Sequence, residues 1–152
     1  MYVLVKLLHI FSVVIFLGNI ITGLFWHSYA LRTQEPKTIA HAIGGIIRSD
    51  RLFTVPGVVV IFGSGVWLAM LGGYPLLRTG WILWALILFA VSGIAFMAHV
   101  APLQKRLLGL AEATPFQLEG YLSVTKRWEL WGAVALLTPL AAMALMILKP
   151  IP

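Results

Sequence analysis

Four long apolar runs constrain this chain more than any other feature of its sequence. They cover about residues 2–26, 52–71, 81–101 and 130–148. Each is close to or above the roughly 20 residues that an α-helix needs to cross the hydrocarbon core of a bilayer. Lipid offers no hydrogen bonds to backbone groups, so runs of this kind cross it as helices. The sequence therefore predicts an all-α integral membrane four-helix bundle, with residues 1–152 forming a single transmembrane domain.

The composition supports the membrane environment and excludes several kinds of chemistry. Hydrophobic residues make up 61% of the chain and charged residues only 11%, whereas about a quarter of the residues in a soluble domain are charged. The chain has no cysteine, so it can form neither disulfides nor thiolate-bound metal or iron–sulfur sites. The net charge is +6, but the basic residues do not form a groove-lining patch, so we expect no nucleic-acid partner.

The distribution of lysine and arginine predicts the orientation. Eight of the eleven basic residues lie in the first and third connections between the runs, and three lie on the opposite side. The eight are Arg32, Lys37, Arg48, Arg51, Lys105, Arg106, Lys126 and Arg127. Because basic loops stay in the cytoplasm, both termini are predicted on the outer, periplasmic side of a bacterial inner (plasma) membrane.

The two basic connections also carry apolar residues at helical spacing. Residues 38–47 place several isoleucines near one helical face, and residues 103–113 carry leucines beside basic side chains. The pattern favours two short helices lying in the membrane interface and connecting the spans. A functional lid is the alternative interpretation.

Polar residues within the first run fall on one side of its helix. Ser12, Asn19 and Gly23 lie within roughly 80° of the direction shared by His9 and His27, at 100° per residue. This stripe is predicted to face the bundle interior. For its small and amide residues, a helix-packing seam is the favoured interpretation.

Two acidic residues stand at the predicted entrances to spans. Asp50 precedes the second span and Glu129 opens the fourth. A carboxylate is favoured at a helix N-terminus by the helix dipole, so both are interpreted first as helix starts.

Three histidines are candidate ligands. His27 and His99 lie at the predicted cytoplasmic ends of spans one and three, where they would meet at similar depth, with Ser92 as the polar neighbour of His99. Two imidazoles facing each other at one level are what a haem with two axial histidines requires. The alternative is that both histidines are simply solvated near the headgroups.

His9 lies deeper, about 10 Å inside the outer boundary by helical rise, where a lipid-facing histidine is costly. Met143 or Met70 would be the nearest methionine partner for a His–Met haem, although methionines in membrane helices are commonly packing residues.

Several motifs together resemble an uncharacterised family of small bacterial four-span membrane proteins. They are KLLHI at 6–10, RSDRLFTVP at 48–56, GYPL at 73–76, KRW at 126–128 and the terminal KP at 149–150. More distantly, the first span and the entry to the second are similar to HemJ-type membrane protoporphyrinogen oxidases and CopD-type membrane proteins. The HemJ resemblance implies a haem-associated protein in which His9 is the residue most expected to carry over.

From these patterns we expect a b-type haem-binding redox or electron-transfer component, with His9, His27 and His99 as candidate haem-iron ligands. Its expected partners are the lipid bilayer, other membrane protein subunits, and a quinone or a cytochrome. One alternative is a structural or assembly subunit of a membrane complex without a cofactor. A third interpretation is a porphyrinogen-oxidising enzyme.

Overall fold

The computed structural model describes residues 1–150, and every regular element in that part of the chain is helical. The helices are α1 (Tyr2–Leu31), α2 (Pro36–Ser49), α3 (Val55–Leu71), α4 (Gly80–Ala95), α5 (Ala101–Glu112) and α6 (Leu118–Leu148). A first π-helical turn, Asp50–Thr54, joins α2 to α3, and a second, Phe96–Val100, joins α4 to α5. The chain therefore forms four long helical segments of 30, 36, 33 and 31 residues, each apolar enough to cross a membrane.

A proline follows each of the two π turns. Pro56 and Pro102 each stand second in the α-helix that follows a π turn. A proline has no N–H group and its ring clashes with the carbonyl four residues earlier, so the preceding turn cannot keep regular α-helical bonding. The helix widens for one turn instead of ending.

The helices next to the π turns differ from the short, separate helices that the sequence predicts. The expected short helices exist as α2 and α5, but each continues directly into a span, and their apolar faces are buried against protein. Ile39, Ile43 and Leu107 have no exposed surface and belong to one cluster with Tyr121 of α6. The interpretation of Asp50 and Glu129 as helix starts is also wrong, because both lie inside continuous helical segments.

The bundle has two unlike ends. One end, called the terminal end, contains the start of α1, the end of α6 and the turn after α3, and there Lys149 lies over the rings of Tyr74 and Trp81. At the opposite end, called the connection end, α2 and α5 pack on each other and on α1 and α6. The main core cluster lies at the connection end.

Towards the terminal end the helices are arranged as two pairs. The most extensive contacts join α1 to α3 and α4 to α6. A smaller core, formed by Phe16, Leu17 and Ile61, lies between the pairs. Large apolar side chains such as Leu4, Val59 and Ile94 are exposed on this half. Exposed apolar surface of this extent is typical of a protein face that contacts lipid.

Candidate functional site

A buried carboxylate is the most connected polar group in the structure. Asp50 lies in the first π turn and is 6% exposed. Its Oδ1 accepts hydrogen bonds from Asn19 Nδ2 at 2.8 Å and Thr54 Oγ1 at 2.8 Å, and its Oδ2 accepts one from Gln104 Nε2 at 2.7 Å. We call these four residues the Asp50 centre. It ties together α1, the first π turn and α5.

All three groups that bond to Asp50 are neutral. The two arginines nearest in sequence, Arg48 and Arg51, are exposed. A buried carboxylate without a cation is stabilised only by the hydrogen bonds it accepts, and such charge-assisted bonds are stronger than neutral ones. When Asp50 is ionised it can only accept, so the amides of Asn19 and Gln104 then turn their N–H groups towards it.

A small cavity adjoins the Asp50 centre. Its volume is about 30 Å³, and its lining includes Asn19, Asp50, Gln104, Trp128 and Gly132. Trp128 is 3% exposed, and its indole Nε1 is buried without a hydrogen-bond partner. A cavity of this size with several polar groups is large enough for a water molecule. A water there can accept from an indole N–H and donate to a carboxylate or an amide oxygen.

His27 lies at the connection end in an aromatic enclosure. It is fully buried, and its Nε2 is 2.7 Å from Tyr121 Oη. The Trp128 ring lies 4.7 Å from the imidazole between centroids. Its second nitrogen, Nδ1, is buried and without a partner. The predicted inward stripe on α1 is confirmed here, since Ser12, Gly23 and His27 are all buried.

His9 lies in the seam between α1 and α3. Its Nδ1 is 2.9 Å from Ser64 Oγ, and that hydroxyl donates to Val60 O at 2.5 Å. Since the serine proton is used in this bond, His9 Nδ1 is the donor to Ser64, which leaves Nε2 with a free lone pair. A Cβ at Gly65 would lie 3.2 Å from His9 Cε1, so glycine permits the close approach.

His99 lies in the second π turn and is partly buried. Its ring stacks on Trp131 at a centroid distance of 3.7 Å and an angle of 9°. Its expected neighbour Ser92 instead donates to the backbone oxygen of Ala135 at 2.7 Å. Each candidate histidine thus has its own partner: Ser64 for His9, Tyr121 for His27 and Trp131 for His99. Within residues 1–150, no three His, Asp or Glu side chains are grouped to hold a metal ion.

A larger cavity opens between α3 and α4. This lateral groove has a volume of about 150 Å³ and is lined mainly by valine and phenylalanine side chains, with Phe16 of α1 and Ala135 of α6 among its walls. Its lining residues include no histidine. The groove therefore offers an apolar surface and no imidazole ligand.

Sequence reasoning missed two members of the Asp50 centre, Thr54 and Gln104, and assigned Asn19 only to packing. One local signal was available: Asp50 and Thr54 are four residues apart, the spacing at which side chains on a helix meet. The Gln104 contact spans 54 residues and leaves no local pattern.

Taken together, four long apolar helices with lipid-type outer faces and buried polar contacts define an integral membrane protein. The chain belongs to the family described as predicted integral membrane protein (DUF2269), whose family model matches residues 3–150. This match confirms the expected membership of a family of small membrane proteins. Comparisons with curated proteins and with solved structures found no match.

The geometry of the Asp50 centre predicts different stability for two substitutions. Asp50→Leu removes the acceptor of three donors, two of which, Thr54 and Gln104, are buried, so the free energy of unfolding should fall by about 3 kcal/mol or more. Asp50→Asn keeps an acceptor for Asn19 and Thr54, and its amide can bond to Gln104 after the glutamine amide rotates. We expect a loss of about 1 kcal/mol. Reversible unfolding in mixed micelles measures both values; equal stability of Asp50→Leu and the unsubstituted protein would contradict the assignment.

Proposed function

We propose that this integral membrane protein binds and releases a proton at Asp50. The observation that carries the proposal is the pairing of Asp50 Oδ2 with the amide of Gln104 at 2.7 Å. An ionisable side chain that is buried within the protein is a candidate functional group, because removing its charge from water is costly. The amide partner gives this carboxyl group a way to exist in two protonation states.

The two states differ in which group donates. In the ionised state Gln104 Nε2–H donates to Asp50, as in the structure. When Asp50 takes up a proton it becomes a donor, and rotation of the Gln104 amide presents an oxygen to accept that bond. Asn19 and Thr54 continue to donate to Oδ1 in both states.

The cavity beside Asp50 supports the proposal because it supplies room for a proton carrier. About 30 Å³ is enough for one water molecule, the usual vehicle for protons inside proteins. Gln104 and Trp128 also line this space, so a water there has both a donor and an acceptor within the cavity wall.

A second candidate function is haem-linked electron transfer, and one observation favours it at His9. A metal-binding histidine usually donates its other ring N–H to a neighbouring group, and His9 Nδ1 donates to Ser64 in this way. His27 fits less well, because Tyr121 already occupies its Nε2 and only Nδ1 is unpartnered. When bound, a haem b would supply one-electron transfer. His9, His27 and His99 stay the ligand candidates, with His9 first.

We further propose that the connection end faces the cytoplasm of a bacterial inner membrane and that both termini are periplasmic. The loops at the connection end, residues 32–35 and 113–117, are flanked by most of the basic residues of the chain. The protein would act with other membrane subunits, and in the haem-linked case with a quinone or a cytochrome.

Infrared spectroscopy tests the protonation of Asp50 directly. Asp50 is the sole aspartate in the chain, so ¹³C-aspartate labelling isolates its carboxyl bands. We expect acidification of the protein in nanodiscs to produce a labelled carboxylic C=O band that is lost in Asp50→Asn and retained in Glu129→Gln, whose carboxylate is exposed. A carboxylate band that stays ionised over the whole pH range in which the protein is folded would reject the proposal.

Visible spectroscopy tests the haem candidate. Protein purified from haem-sufficient cells should show oxidised and reduced haem b spectra and a pyridine haemochrome. His9→Ala should lose most of the bound haem because its axial nitrogen is gone, whereas His41→Ala, at an exposed position on α2, should keep it. His27→Ala and His99→Ala examine the other two candidates. A colourless preparation of the unsubstituted protein would eliminate this function.

Reporter fusions test the orientation. Alkaline phosphatase, which is active only outside the cytoplasm, should be active when fused after Leu148 and inactive when inserted in the loop at residues 113–117. The basic residues near that loop hold it in the cytoplasm. The reverse pattern of activity would show that the orientation is wrong.

A further inference from the structure

Three helical segments are brought to one level by the Asp50 centre. Asp50 of the first π turn bonds to Gln104 of α5, and both line the same small cavity as Trp128 of α6. These three residues therefore mark one cross-section of the bundle, and positions close to them in sequence lie close to that section.

A pair of basic residues lies beside each of the three markers. We call these six residues the basic belt, and all of them are exposed: Arg48, Arg51, Lys105, Arg106, Lys126 and Arg127. Each lies within two residues of its marker, which is about 3 Å along a helix axis. Six of the eleven lysines and arginines in the chain thus occur at one depth and on three different segments.

Acidic side chains do not balance this charge. Asp50, which is buried between Arg48 and Arg51, and Glu129 are the two acidic residues next to the six basic residues of the belt. Glu112 and Glu119 are six and seven residues from the nearest belt member, about 9–11 Å by helical rise, and Glu35 is farther still. Charges separated by more than about 8 Å are largely screened at physiological ionic strength. The belt therefore presents a concentrated positive charge.

The apolar surface fixes the depth of the belt in the bilayer. On the side of the spans, exposed apolar residues follow immediately: Leu52 and Phe53 after Arg51, and Leu130 just after Trp128. On the other side, α2 exposes Lys37 and His41. On α1, exposed side chains continue past this level as Phe25, Trp26 and Tyr29, and Trp and Tyr are enriched at membrane–water interfaces. The belt therefore lies where the lipid-facing surface of α3 and α6 ends, close to the depth at which a bilayer places its phosphate groups.

We propose that the basic belt binds the phosphate groups of anionic phospholipids. Charge and depth both favour this partner over a soluble anion, because the belt meets lipid headgroups wherever the four helices span a bilayer. Arginine adds bidentate bonding to phosphate oxygens, and lysine adds a mobile point charge. The proposal is independent of the protonation of Asp50 and of haem binding.

Lipid exchange into nanodiscs measures the preference. The protein is reconstituted with phosphatidylglycerol and phosphatidylcholine of the same acyl chains, and the lipids retained after extraction are counted by native mass spectrometry. We expect the unsubstituted protein to be enriched in phosphatidylglycerol, and this enrichment should fall about fivefold for each basic charge that is removed. Three double variants each remove two charges of the belt: Arg48→Gln/Arg51→Gln, Lys105→Gln/Arg106→Gln and Lys126→Gln/Arg127→Gln. High salt should also reduce the enrichment.

The matched control removes two basic residues away from the belt. Arg32→Gln/Lys37→Gln has the same net charge as each belt variant, and both side chains are exposed. It should keep the full enrichment. Melting in pure phosphatidylcholine verifies that every variant is folded. Unchanged enrichment in the three belt variants, or an equal loss in the control, would overturn the proposal.

Discussion

The hydrogen bonding of one buried carboxylate determines how this bundle is joined at its connection end. Asp50 is almost fully enclosed, so its oxygens must find donors within the protein, and those donors come from α1, its own π turn and α5. If any of the three segments moves away, a buried polar group loses its partner. The cost of an unsatisfied buried group therefore fixes the relative positions of these three segments.

The two ends of the bundle are stabilised by different means. At the connection end, isoleucine, leucine and aromatic side chains form a compact core around His27 and Tyr121. Towards the terminal end, the helix pair α1–α3 makes few contacts with the helix pair α4–α6, and the lateral groove lies between the two pairs. Lipid does not drive apolar helices together as water does, so the few polar contacts there, such as His9 with Ser64, matter more. The Asp50 centre, the lateral groove and the basic belt all lie between these two differently stabilised parts of the bundle.

The sequence predicts the helical, membrane-embedded character of this protein because apolar length is a local property. It also predicts the inward side of α1, which depends only on helical periodicity within one run. It could not predict that α2 and α5 continue the spans. Their apolar faces are equally suited to the membrane surface and to each other, and only the tertiary arrangement decides between the two. The error about Asp50 has the same origin: beside two arginines it resembles the start of a helix, and its three donors come from positions up to 54 residues away. The ligand roles of His9, His27 and His99 stay predictions.

The two π turns also control rotation about the helix axis. An α-helix advances about 100° per residue, so a turn that accommodates one extra residue changes the angular phase of everything beyond it. The turn at Asp50–Thr54 sets the rotation angle between the face of α2 that carries Ile39 and Ile43 and the lipid-facing side of α3. The turn at Phe96–Val100 sets the rotation angle between α5 and α4 in the same way. Each of these two long segments thus has two halves, and the two halves contact different surroundings. Pro56 and Pro102, which each remove a backbone hydrogen bond beside these turns, stand at the junction between the half that faces lipid and the half that faces protein.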